Sequence, residues 1–178
     1  AVHTALLFAV LGGFVIALIG ELAAEPLLRM MSVPDEVLPL ALLYLRIYLI
    51  GMPVILLYNF EAAIFRSIGD TKVPLATLAI SGVINVILNL FFVIVLHMAA
   101  AGVATATAIA QYVSAMLIMV HLLRRKDECH VSLKKIRFHK KACIDILVIG
   151  IPAGIQNAIF AIANLFVQSG VNSFDTYM

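Results

Sequence analysis

The sequence predicts an all-α protein: a polytopic transmembrane helix bundle of about five spans. Of its 178 residues, 63% are hydrophobic and 12% charged, and the mean hydropathy is +1.10, well outside the range of soluble globular domains. Five apolar runs, at about 4–28, 40–65, 74–97, 100–123 and 142–170, are each long enough to cross roughly 30 Å of hydrocarbon as a helix. The charges gather between the runs.

The first run opens with "AVHTALLF". It has no basic flank and is too long for the apolar core of a secretory signal, so it reads as a span. The missing starting methionine, and an end ("NSFDTYM") just beyond an apolar run, lead us to expect a piece of a longer chain. Glu21 and Glu25 lie near the external end of this run.

The second run contains Arg46, a turn or so inside and able to snorkel. Pro53 follows Gly51 by two positions and should bend the helix, as a static kink or a hinge. Glu61, about one turn before the cytoplasmic end, reads as an interfacial partner of Arg66 or Lys72. In "RSIGDTKVP", Gly69-Asp70 predicts a turn and Asp70 or Thr71 an N-cap. Pro74 falls in the first turn of the next helix, where its missing N–H breaks no bond. The second and third runs thus form a helical hairpin, and Asp70 is placed either to pair with Arg66 four residues earlier or to act functionally.

The third run carries a polar ladder, Thr77, Ser81, Asn85 and Asn89, spaced four residues apart on one helix face. The fourth puts Thr107, Gln111 and Ser114 among alanines small enough to admit a neighbouring helix closely. The fifth puts Asn157, Asn164, Gln168 and Asn172 on a stripe, after Pro152, which should bend it. An amide facing lipid without a partner costs several kcal/mol, so these faces look inward. They are either interhelical glue or the wall of a wet cavity, and their number favours the cavity. Asp145 falls in the first turn of the fifth run. His97 and His121 sit at helix ends, as solvated imidazoles.

Ten of the twelve basic residues lie on two loops that helix parity places on one side. One loop carries Arg66 and Lys72; the other runs from Arg124 to Lys141. The positive-inside rule makes these loops and the start of the chain cytoplasmic, and its end external. Cys129, His130, His139 and Cys143 in or beside the second loop are poorly spaced ligands among lysines; a solvated loop is the simpler reading than a zinc site. No hydrolase, P-loop or dinucleotide fingerprint is present. We find no catalytic constellation.

The motif "IFRSIGDTKVPL", the pair Asn85 and Asn89 on the next helix, "AAAGVATATAIAQ" with Thr107 and Gln111, and "GIPAGIQNAIFAIANLFVQSGVNSF" occur in this order along nearly the whole chain. Together they resemble the multidrug and toxic compound extrusion (MATE) transporters, in the superfamily that also holds lipid-linked-oligosaccharide flippases. Asp175 departs from the glycine usual there. The resemblance implies a two-lobe, twelve-helix transporter of which residues 1–123 are four first-lobe spans, helices three to six. Residues 124–141 would be the cytoplasmic interlobe loop, and 142–178 the first helix of the second lobe.

It further implies ion-coupled antiport of drugs or toxic organic compounds in the plasma (inner) membrane, with small organic substrates, a coupling cation and the bilayer as partners. No cofactor, resident metal or nucleic acid is expected. Cation-site residues match Asn59, Asn85, Asn89 and Thr107, completed by a helix-one carboxylate outside the chain; Gln111, Asn157, Asn164 and Gln168 are cavity-lining candidates. Amide and hydroxyl oxygens suit Na⁺, whereas H⁺ needs a titrating carboxylate, so both coupling ions stay open. The alternatives are a lipid-linked precursor flippase, for which only Arg46 offers an intramembrane cation, and a membrane-embedded enzyme, for which no His, Asp or Glu converge.

Overall fold

A computed structural model describes residues 2–31, 33–125 and 139–175. The described residues form helices and turns, with no strand. Helix α1 spans Val2–Met30, α2 Leu38–Ile50, α3 Met52–Ser67, α4 Lys72–Leu90, α5 Ala99–Arg124 and α6 Lys140–Asp175, with a π-helical turn at Phe91–Val95 continuing α4. Four spans are long and apolar enough to cross a membrane, or five when α2 and α3 count as one broken span. The chain is a multi-pass membrane protein with the expected number of spans. Residues 126–138, most of the expected interlobe loop with Cys129 and His130, lie outside the described residues. Among the described residues, no group of His, Cys, Asp or Glu could hold a metal.

The break in the second span falls where Gly51 and Pro53 predict it. α2 ends at Ile50, Pro53 sits in the first turn of α3, and the two segments meet at 50°. Proline lacks the N–H that would bond back to Leu49, and its ring excludes a continuous helix. The Gly51 N–H donates to the Tyr48 carbonyl at 3.0 Å, so the backbone stays satisfied across the bend. Gly13 of α1 packs directly on the bend: a Cβ there would lie 2.3 Å from Pro53 Cα. Pro152, by contrast, does not interrupt α6. That helix begins at Lys140, which moves Asp145 out of its first turn.

The α3–α4 turn closes as a Schellman motif. The Asp70 N–H donates to the Phe65 carbonyl at 3.0 Å and the Gly69 N–H to that of Arg66 at 3.1 Å. Gly69 has φ +77, the left-handed conformation that a glycine adopts without strain. The opposite turn uses His97 at φ 51 instead, a residue type enriched among the few that tolerate this region.

Lipid offers apolar side chains as good a home as another helix does, so contact between spans rests on close packing and hydrogen bonds. α1 packs on α3 and α2, and α5 packs on α4, α2 and α3. Small residues line these seams: Ala9, Ala62, Ala104, Ala106, Ala110 and Ala115 are buried. The core cluster of Leu6, Ala62, Phe65, Ile118 and Leu122 joins α1, α3 and α5 near the end that carries the α3–α4 turn. α6 packs against α1 and is exposed over most of its length.

Three expected charge contacts are replaced. Asp70 pairs with Arg125 at 3.3 Å rather than with Arg66, because the Schellman turn aims it at the end of α5. Arg46 does not reach for the interface alone; it pairs with Glu21 of α1 at 3.3 Å. Glu61 is no interfacial partner of Arg66 or Lys72. It is fully buried, and both carboxyl oxygens lack a hydrogen-bond partner, because the face it shares with Leu57 and Phe65 turns into the bundle. Arg125 also lies over the Phe65 ring, 5.3 Å from its centroid.

The Asp70–Arg125 pair is partly open to solvent, with side chains 31% and 26% exposed. Asp70→Asn is therefore expected to lower stability by no more than about 1 kcal/mol. Thermal unfolding in detergent, with Arg125→Gln and the double variant completing the cycle, measures the coupling.

Candidate cation site between α4 and α5

The α4 ladder forms one face, as its spacing predicts. Thr77 and Ser81 are buried, Asn85 and Asn89 are half-buried, and the residues between them are mostly exposed. The two hydroxyls fold back on their own helix, Thr77 to the Pro74 carbonyl at 3.0 Å and Ser81 to that of Leu78 at 3.0 Å. This is the ordinary way for Ser and Thr to satisfy themselves inside a helix.

The two asparagines behave differently. Asn89 Nδ2 donates to Asn85 Oδ1 at 2.9 Å, and Asn85 Nδ2 donates to Thr107 Oγ1 of α5 at 3.3 Å. Thr107 in turn donates its O–H to the Val103 carbonyl at 2.9 Å. Donors thus point one way along a relay of three side chains. Its far end, Asn89 Oδ1, is buried and accepts nothing.

An unaccompanied buried carbonyl oxygen is an anomaly in a folded protein. Beside it begins the π-turn at Phe91–Val95, a rare geometry frequent at functional sites. Nothing in "FFVIV" announces this turn. Gly102 of α5 packs against it, since a Cβ there would come 3.0 Å from Phe92 Cβ.

The other candidates are not gathered here. Asn59 is exposed and donates to the Ile55 carbonyl of its own helix at 2.8 Å. Gln111 lies half-buried one turn beyond Thr107 on α5. Asn157, Asn164 and Gln168 are exposed along α6, whose packing is on α1, away from the α4–α5 seam. The side chain of Asn172 lies outside the described residues.

The oxygens assembled at the seam belong to two amides and a hydroxyl, with no carboxylate among them. The MatE family model matches residues 1–91. The chain belongs to the MatE family. Among its relatives, the probable multidrug resistance protein YpnP of Bacillus subtilis (strain 168) is 31% identical over 159 residues, covering 89% of this chain and 35% of the relative.

The probable multidrug resistance protein YoeA of the same organism is 33% identical, covering 97% of this chain and 39% of the relative. A solved multidrug resistance MATE family transporter of the MOP superfamily, in an inward-facing conformation, superposes with TM-score 0.82 at 24% identity. It covers 95% of this chain and 41% of the solved chain, so the helix order and packing described above are those of a MatE fold. The chain spans under half the length of each of these three proteins.

Sequence reasoning missed the burial of Glu61. The signal was there: Leu57, Glu61 and Phe65 share one face at four-residue spacing, and both apolar neighbours turn inward.

Proposed function

We propose that this MatE chain is part of an ion-coupled secondary transporter that exports drugs or other toxic organic compounds from the cytoplasm across the plasma (inner) membrane. Names of relatives such as YpnP and YoeA support the substrate class. The observation that carries the coupling is the buried, unaccompanied Asn89 Oδ1 at the end of the Asn89–Asn85–Thr107 relay. It offers an oxygen to a hard monovalent cation, Na⁺ being the better match and H⁺ the other candidate. In that reading Asn85 and Thr107 hold the Asn89 amide in place, so the oxygen is oriented before the ion arrives.

Residues 1–123 then act as the first-lobe spans, residues 124–141 as the interlobe loop and residues 142–178 as the opening helix of the second lobe. The basic loops face the cytoplasm. The outward stripe of Asn157, Asn164 and Gln168 meets further helices of the whole transporter, and with Gln111 it walls the substrate path. Asn59, turned to its own helix here, enters the site only if its side chain rotates. Transport requires rearrangement of helices and no covalent chemistry.

The test is efflux of a fluorescent organic cation from vesicles containing the native-length protein, under an imposed Na⁺ or H⁺ gradient. Export against the dye gradient, driven by either ion, is the expected outcome. Equal dye movement with and without both gradients overturns the coupled reading.

A further inference from the structure

Glu61 stands apart from the α4–α5 relay. It lies on α3, on the face packed against α1 and α5, and is 0% exposed. Neither of its oxygens has a hydrogen-bond partner. Ser114, buried on α5, has an unpartnered hydroxyl as well. Buried carboxyls are rare in membrane bundles, and an ionised one needs a cation or several donors beside it.

Among the described residues no such group bonds to it. The titratable and charged side chains described on the surrounding elements at this end are His3 on α1, Tyr112, His121 and Arg124 on α5 with Arg125 just after it, Lys72 on α4 with Asp70 just before it, and Tyr58 and Arg66 on α3 itself; Arg125, over the Phe65 ring, is held by Asp70 at 3.3 Å. Tyr58 gives its hydroxyl to the Pro74 carbonyl at 3.3 Å, and Tyr112, His121, Lys72 and Arg66 are exposed. On α2, Arg46 is held by Glu21. None of them bonds to Glu61, so no described hydrogen bond or ion pair compensates a negative charge in the closed seam.

We propose that Glu61 is a proton-binding site of this protein, loaded while α3 is packed against α1 and α5 and emptied when that seam opens. In the closed seam the carboxyl is neutral, which removes the need for a counter-ion. If α3 parts from its neighbours, water enters, the carboxyl O–H bond breaks, and the proton passes to that water, leaving a solvated carboxylate. Closure requires a proton to be taken back. Gly51 and the 50° bend, roughly three turns before Glu61, supply a place where α3 can pivot while α2 stays.

Among the described residues Ser114 is the other buried, unpartnered polar side chain on the helices packed against α3. Proton binding at Glu61 is a site distinct from the oxygen-only relay of Asn89. The transport readout rests on the transporter reading above, whereas the spectroscopic one does not.

The experiment compares the native-length protein and Glu61→Gln in lipid bilayers at neutral pH by infrared spectroscopy. The expected result is a protonated-carboxyl C=O band in the wild type that the glutamine variant lacks and that Glu61→Asp moves to another frequency. Identical carboxyl regions in wild type and variants overturn the proposal. In vesicles, Glu61→Gln is expected to flatten the dependence of efflux on pH while Na⁺-driven efflux persists. An unchanged pH profile in folded Glu61→Gln protein overturns the link between the proton and the moving seam. If wild-type vesicles show no coupled efflux, the transporter reading fails, and the infrared comparison still decides whether Glu61 holds a proton.

Discussion

Asn89→Leu is expected to abolish ion-coupled efflux in the native-length protein while leaving membrane insertion intact. Leucine removes the oxygen that the relay presents and leaves Asn85 Oδ1 without its 2.9 Å donor. If the amides were only interhelical glue, the loss would be confined to the roughly 0.6–2 kcal/mol of one such hydrogen bond in a bilayer, and surviving protein would still transport. Efflux normalised to folded protein separates the two. Asn89→Asp keeps an oxygen at the same place and should retain transport, with a steeper dependence on pH because a titratable group has been added. Full coupled efflux by the leucine variant would leave the asparagines as structural pairs.

The second large effect falls on Gly13. Any side chain there meets backbone atoms, with Pro53 Cα at 2.3 Å, Pro53 N at 2.8 Å and the Met52 carbonyl at 3.1 Å. Backbone cannot swing aside as a rotamer does. Gly13→Ala is therefore expected to push α1 off the α2–α3 bend and destabilise the bundle by about 1–3 kcal/mol, the usual range for overpacking. Gly13→Leu should lose more. Gly12 is the control: nothing stands within 4 Å of a Cβ there. Alanine at Gly12 should be neutral, or stabilise α1 by up to about 1 kcal/mol through helix propensity. Thermal unfolding of the two alanine variants in the same detergent checks the contrast; equal midpoints would show that α1 and the bend yield freely.

The spans were legible because lipid imposes a minimum run of apolar residues and leaves charge to the loops. Gly51 and Pro53 located the broken helix, and Gly69 the turn, because each residue permits or forbids a backbone geometry on its own. The ladder was legible too, since four-residue spacing has one meaning on a helix. Partners across space were harder. Asp70 has Arg66 four residues away in sequence, yet it meets Arg125, and only the direction of a Schellman turn decides between them. Glu61 was read by its nearness to a helix end, when the side of the helix it shares with Leu57 and Phe65 mattered more. The π-turn at Phe91–Val95, against which Gly102 packs, left no trace in residue types.

The distribution of packing also has a consequence for how the chain is made. α4 leans chiefly on α5 and touches α3 only slightly, so among the described helices the asparagines of α4 have no cross-helix partner until α5 is made. α1, α2 and α3 can settle against one another before that moment. The Asn85–Thr107 bond is formed only once the later helix arrives. Assembly of the described helices therefore has an order written into it: α1, α2 and α3 can begin to meet early, while both the amide relay and the shared core wait for α5.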